Sequence, residues 1–231
     1  KEDSKIREQL QRTELENMRI SSALQSSQLK LLQARVNPHF LFNTLNIISQ
    51  TAYIENAEDT AQLIEYTANY LRYNLGRITK PVTVSEEIEN VRQYAYIQKK
   101  RFGKRIEFFF SIDEESKKHQ LPCMVLQPLV ENSIVHGLKN VLHDGKIWVK
   151  AYTLNSQTFL EVQDNGEGIS PEMQMRLQES FKNIQNDFES HIGLQNVYLR
   201  LKQFFGKELV FNLERKDEIT IVKIIMPYTN S

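Results

Sequence analysis

The 231-residue chain predicts a multidomain protein, α-helical at first and then mixed α+β, with helices on one face of a sheet. Three observations predict this. Residues 1 to about 36 hold no Gly or Pro, and Ile6, Leu10, Thr13, Asn17, Ile20, Leu24, Ser27, Leu31 and Ala34 alternate by four and three, the coiled-coil spacing. Two further helical patterns follow before a break at Gly76 to Pro81. Beyond Gly103 the apolar period shortens to two, the mark of strands.

Composition narrows the function. The chain is 40% hydrophobic and 25% charged, ordinary for a protein with a real core. Lys plus Arg equals Asp plus Glu at 29 each, so no net field favours nucleic acid or an anionic membrane. One cysteine, Cys123, excludes an internal disulfide and suits cytosolic chemistry. No apolar run approaches the roughly 20 residues that span a bilayer. The chain opens on Lys1 in a charged helical pattern, which reads as a fragment of something longer.

The elements follow in order. Residues 1–34 form the coiled-coil helix; Thr13, Asn17 and Ser27 weaken its seam, and Asn17 at an a position favours two strands. Residues 35–80 carry two helices. In the first, ending near Tyr53, Arg35, His39, Asn43, Asn46 and Gln50 form one polar stripe. Val36, Phe40, Ile47 and Ile54 fill one flank, and Leu41, Leu45, Ile48 and Ala52 the other. Pro38 either removes a hydrogen bond in mid-helix beside an outward histidine or starts a new helix with His39 in its first turn. The second helix runs from Asp59 to Leu75. Two such helices bury their faces only when doubled, as a four-helix bundle in a dimer.

Residues 84–228 form the α+β part. A helix from Ser85, its cap, to Arg101 carries Glu86 and Glu87 in its first turn. A strand covers Ile106 to Ile112, and a helix bent at Pro128 covers Leu121 to Gly137. Strands at Lys146–Tyr152 and Thr158–Gln163 flank a turn at Asn155-Ser156. A short helix follows Pro171, and residues 180–190 read as a mobile loop. A helix from Ile192 to Phe205 and strands at Leu209–Leu213 and Ile219–Met226 complete the chain.

Three stretches carry chemistry. Leu160, Val162 and Asp164 share a strand face, so Asp164 points inward, which is costly unless something donates to it. A purine amine would serve, with Gly166 and Gly168 letting the backbone approach a flat ring; the plainer reading of Asp-Asn-Gly is a hairpin turn. Asn132 and His136 share a helix face beside Glu131. An amide and a carboxylate are hard-oxygen donors of the kind Mg²⁺ takes with phosphates, or else this is a polar helix end capped by Gly137. His191-Ile-Gly193-Leu194 opens a helix whose free N–H groups could hold phosphate, or serves as an ordinary cap.

Together these resemble the N, G1 and G2 boxes of the GHKL ATP-binding fold. Asn37-Pro-His-Phe-Leu-Phe-Asn-Thr-Leu45 and Leu121-Pro-Cys-Met-Val-Leu-Gln-Pro-Leu-Val-Glu-Asn-Ser-Ile-Val-His-Gly137 resemble one branch of it, the sensor histidine kinases of the LytS/YesM type. The resemblance covers residues from about 33 to 228 and implies a GHKL α/β sandwich after a dimerisation and phosphotransfer bundle. It implies that His39 attacks the γ-phosphate of ATP and that the phosphoryl group passes to an aspartate of a response regulator. It further implies a homodimer, anchored in a bacterial membrane by segments upstream, with this portion in the cytoplasm. By the same resemblance Asn132 matches the Mg²⁺ ligand, Asp164 the adenine reader, and His136, Gly166, Gly168, Ile169, Gly193 and Leu194 the nucleotide-binding positions. The alternatives are a GHKL protein-serine kinase or ATPase without phosphohistidine, and a non-catalytic dimeric scaffold.

Four expectations follow from the residues. Glu131, the nearest motif acid, would orient or deprotonate His39. Asn43, one turn on, would hold an attacking water for phosphatase activity or set the imidazole rotamer. His191, where the fold commonly has glycine, would modestly weaken nucleotide binding. Pro38 would make a bendable joint below the coiled coil.

Overall fold

The computed structural model describes residues 38–76, 80–169, 172, 174–175 and 192–228. The coiled-coil segment, the joint before Pro38, the loop at 180–190 and His191 lie outside the described residues, as does most of the short helix after Pro171.

Helices α1 (Pro38–Ile54) and α2 (Glu58–Gly76) form an antiparallel hairpin, turned at Asn56 with φ +59°. Ser49 Oγ donates to the Ala61 carbonyl at 3.2 Å and the Arg72 guanidinium lies 5.2 Å from the Phe42 ring centre, which sets the register. Ala52, Ala61 and Ala68 are buried, small residues that let the two helices approach closely. The predicted polar stripe is real: His39, Asn43, Asn46 and Gln50 all face solvent. Of the two apolar flanks, the one carrying Leu41, Leu45, Ile48 and Ala52 is partly or fully buried except at Ile48, which is 46% exposed. The other stands open, with Phe40 69%, Ile47 63% and Ile54 81% exposed.

Strand β1 (Val82–Thr83) pairs with β3 (Gln120–Leu121) and leads into α3 (Val84–Phe102). Here the structure corrects the expected Ser85 cap. Thr83 is the N-cap, accepting from Glu86 N–H at 3.2 Å while Glu86 accepts from Thr83 N–H at 2.9 Å. Pairing in β1 holds Thr83 extended, at φ −82° and ψ 155°, the backbone a cap needs.

Strand β2 (Ile106–Ile112) follows as predicted. The expected single helix over Leu121 to Gly137 does not form. After β3, helix α4 spans only Leu126–Asn132, and Ser133–Gly137 then makes a wider π-type turn, closed by Leu138 N–H on the Ser133 carbonyl at 2.8 Å. Pro128 therefore bends nothing. It is the third residue of α4, where a backbone N–H has no intrahelical acceptor anyway.

Strands β4 (Gly145–Leu154) and β5 (Gln157–Asp164) form a hairpin through Asn155 and Ser156, with φ of 51° and 59°. Those angles are the left-handed pair a two-residue hairpin turn requires. Helix α5 (Ile192–Phe205) and strands β6 (Val210–Lys216) and β7 (Ile219–Pro227) complete the domain. The five-stranded sheet runs β2-β4-β5-β7-β6, parallel only between β2 and β4. One face, with Ile147, Val149, Leu160, Val162, Val222 and Ile224, is covered by α3, α4 and α5 through Ile88, Val91, Leu126, Leu129, Val197 and Leu201. Among the described residues no helix is long and apolar enough to cross a membrane.

Candidate functional site

The site is built where α4, β5 and α5 meet under the helical layer. Leu129, Asn132, Ser133, His136, Gly137, Asp164, Gly168, Ile169, Leu194, Thr220 and Val222 line one cleft. Apolar walls from Leu129, Ile169, Leu194 and Val222 suit a flat ring, and Asn132, Ser133, His136, Asp164 and Thr220 add polar groups that can orient it.

The phase of β5 puts Asp164 on the core face with Leu160 and Val162, leaving it 4% exposed. Burial raises its pKa, opposed by donors: Ser133 Oγ at 2.9 Å on one oxygen and Gly166 N–H at 3.1 Å on the other. Each oxygen keeps a second lone pair, so the carboxylate can still accept from a ligand amine. Asp-Asn-Gly is not a hairpin turn here. Asn165 accepts from Lys146 N–H at 2.6 Å and donates to the Asp144 carbonyl at 2.8 Å, tying the end of β5 to the start of β4.

Two glycines are required by contact rather than by φ. A Cβ on Gly166 would lie 2.1 Å from the Gly137 carbonyl oxygen, and one on Gly137 would lie 2.5 Å from Asp164 Oδ1. Gly137 is therefore a packing residue for Asp164, which replaces the expectation of a capping glycine. Its carbonyl also accepts from Glu167 N–H at 3.0 Å, joining the turn after α4 to the glycine loop after β5. Gly168 does need its freedom: φ is +78° and the Arg215 guanidinium occupies the place of a Cβ.

Of the predicted positions, Asn132, His136, Asp164, Gly168, Ile169 and Leu194 meet in this cleft, and Gly166 packs behind it. Gly193 does not line it; the residue is exposed at the start of α5 with open space around it. Ser133 and Thr220 were not foreseen. Thr220 could have been: it alternates with Val222 and Ile224 on the buried face of β7 and sits across the ladder from Asp164. Ser133 could not, because the π-type turn, absent from any local signal, aims it at Asp164.

Among the described residues no cluster of three His, Cys, Asp or Glu side chains is placed to hold a metal. The donor set on α4 is the single amide of Asn132, which fits a Mg²⁺ held mainly by phosphate oxygens and water. Glu131 beside it is engaged elsewhere: its Oε1 accepts from Gln127 Nε2 at 2.8 Å and Tyr70 Oη at 3.3 Å. His39 is exposed on α1, and the Asn43 amide approaches its ring nitrogens at 3.4 and 3.5 Å, the outer limit of a hydrogen bond.

Two family models match the chain: one described as histidine kinase over residues 27–106, the other as histidine kinase-, DNA gyrase B-, and HSP90-like ATPase over residues 118–230. The sensor histidine kinase BtsS of Escherichia coli K12 is 34% identical over 211 residues, 91% of this chain and 35% of BtsS. Sensor protein LytS of Staphylococcus saprophyticus is 30% identical over 211 residues, again 91% of this chain and 35% of LytS. The chain thus spans about a third of the length of these relatives. The catalytic domain of histidine kinase ThkA, 16% identical, superposes with a TM-score of 0.50 over 65% of this chain and 95% of that domain, which shows a shared fold. The first matched segment carries His39 and the second the cleft around Asp164. The chain belongs to the sensor histidine kinases of the LytS/YesM type, with a histidine-kinase segment followed by a GHKL ATPase domain.

Proposed function

We propose that this chain autophosphorylates on His39 from Mg-ATP and passes the phosphoryl group to an aspartate of a response regulator. The observation that carries the proposal is the buried Asp164, held ready to accept at the bottom of an apolar cleft that Asn132 also lines. Asp164 would read the adenine amine, Ile169 and Leu194 would pack the ring, and Asn132 Oδ1 would take a place on Mg²⁺. Gly166, Gly168 and His136 would set the loop and rim about the nucleotide. Phosphoryl transfer asks for positioning and charge neutralisation more than covalent chemistry; the cleft residues would supply the first and Mg²⁺ on Asn132 the second.

His39 stands in the solvent-facing stripe of α1, where a neighbouring ATP domain and then a regulator can reach it. The open flank of Phe40, Ile47 and Ile54 supports a homodimer, since a second hairpin would cover it and complete the four-helix bundle. Membrane anchoring would come from a segment outside these residues.

Incubation with γ-labelled ATP and Mg²⁺ tests the reading, comparing the wild type with His39→Gln and Asn132→Asp. Acid-labile, base-stable label that disappears in both variants is expected. Acid-stable label, or label that survives His39→Gln, would favour a serine kinase instead.

A further inference from the structure

We infer that Tyr70, on the phosphoacceptor hairpin, is a positioning residue that withholds the Glu131 carboxylate from His39, so that its release sets the rate of autophosphorylation. The inference rests on the reading of His39 as the acceptor and Glu131 as its base.

It starts from a chain of side chains that crosses from α3 through α4 to α2. Asn90, 2% exposed, donates through Nδ2 to Gln127 Oε1 at 2.7 Å. That bond turns the Gln127 amide so that its Nε2 faces the other way, donating to Glu131 Oε1 at 2.8 Å and to the Tyr70 hydroxyl oxygen. With its oxygen accepting, the Tyr70 hydroxyl directs its proton to Glu131 Oε1 at 3.3 Å. The Tyr70 ring is fixed by stacking on Tyr94 of α3, centroids 5.5 Å apart. Burial and then the neighbouring Glu131 push the Tyr70 pKa up, which keeps the phenol a neutral donor at any ordinary pH.

The place of this clasp matters as much as its partners. The register set by Arg72 against Phe42 and by Ser49 against Ala61 puts Tyr70 level with the turn of α1 that begins at Phe40, directly after His39. Glu131 is thus docked at the height of the phosphoacceptor but on α2, bonded to a phenol. Among the described residues no hydrogen bond joins it to His39.

The chemistry explains why this would restrain the reaction. When a bare ring nitrogen of His39 bonds to the γ-phosphorus, the bond from that phosphorus to the bridging oxygen breaks and ADP leaves with the oxygen. The proton on the other ring nitrogen then sits on a phosphoimidazolium, and transfer to Glu131 neutralises it. A carboxylate oxygen that already accepts two hydrogen bonds is a weaker base and points elsewhere. Breaking one hydrogen bond to a charged group shifts an equilibrium by roughly tenfold or more.

Tyr70→Phe keeps the ring on Tyr94 and removes the hydroxyl, with both its bond to Glu131 Oε1 and the one it accepts from Gln127 Nε2, while Gln127 keeps its bond to Glu131. Single-turnover phosphorylation of His39 should rise about tenfold at saturating ATP, with the half-saturating ATP concentration unchanged. A residue acting through Glu131 should lose that effect once Glu131 is gone, so Tyr70→Phe added to Glu131→Gln should run at the Glu131→Gln rate. An unchanged or slower rate in Tyr70→Phe would overturn the inference, as would a gain that persists beside Glu131→Gln. A wild type with no acid-labile, His39-dependent label would instead remove the functional reading beneath it.

Discussion

Glu87→Gln is the perturbation whose consequence is best defined by geometry. Glu87 is fully buried, yet its carboxylate meets four donors. Oε1 accepts from Met124 N–H at 2.6 Å and from the Tyr73 hydroxyl; Oε2 accepts from Val125 N–H at 2.8 Å and Leu126 N–H at 2.9 Å. These are the N–H groups that open α4, so one acid from α3 caps the helix that carries Glu131 and Asn132. An amide cannot replace it. The Tyr73 hydroxyl can turn and accept from the new NH₂, but Met124 N–H then loses its acceptor and the other two bonds fall from charged to neutral strength. An orphaned buried N–H costs about 1–3 kcal/mol, and weakening two charge-assisted bonds adds roughly 1–2 kcal/mol, offset in part by burying an amide instead of a charge. A net loss of about 3 kcal/mol is expected in urea unfolding at unchanged m-value. Tyr73→Phe removes one donor of four and leaves the backbone capped, so it should cost only about 1 kcal/mol. Equal losses in the two variants, or a loss under about 1 kcal/mol for Glu87→Gln, would refute the reasoning.

Three further outcomes are expected. Gly166→Ala drives a methyl into the Gly137 backbone at 2.1 Å, which cannot swing aside, so Asp164 should shift and binding of a fluorescent ATP analogue should fall at least about tenfold; Gly193→Ala, with open space around it, should leave the thermal midpoint unchanged. Burial lowers the His119 pKa from 6.5 to about 4, so the native state holds it neutral while the unfolded chain takes up a proton below 6.5. That contribution is present above pH 6.5, is lost as pH falls through 4, amounts to about 3 kcal/mol at most, and should vanish from the stability profile of His119→Phe. Asn43→Ala should slow dephosphorylation of a phosphorylated regulator if the amide holds a water, whereas an unchanged dephosphorylation rate with altered His39 labelling would assign it to the imidazole rotamer, the role that its 3.4 Å approach to the ring favours.

Periodicity is a local property, and whatever depends on it was legible in the sequence. The polar stripe through His39 and Asn43, the strand Ile106–Ile112, the helix Ile192–Phe205 and the inward phase of Asp164 all follow from side chains repeating at 3.6 or 2 residues. Motif order placed Asn132, Gly168 and Leu194 in one site although 62 positions separate the outer two, because each motif carries its own element. Tertiary structure decided the rest. Ser85 and Thr83 are equally good caps on paper, and only the pairing of β1 with β3 selects Thr83. A helix over Leu121 to Gly137 satisfies every local rule, yet α4 starts at Leu126, where an acid from a distant turn of α3 supplies the acceptors that its first N–H groups lack. Gly137 resembles a helix stop and is in fact the room left for the Asp164 carboxylate. Glu131 looks free in the sequence and is bonded to Tyr70, 61 residues earlier. Hydrogen-bond partners of buried polar groups lie wherever the folded chain brings donors and acceptors together, and no local period encodes that.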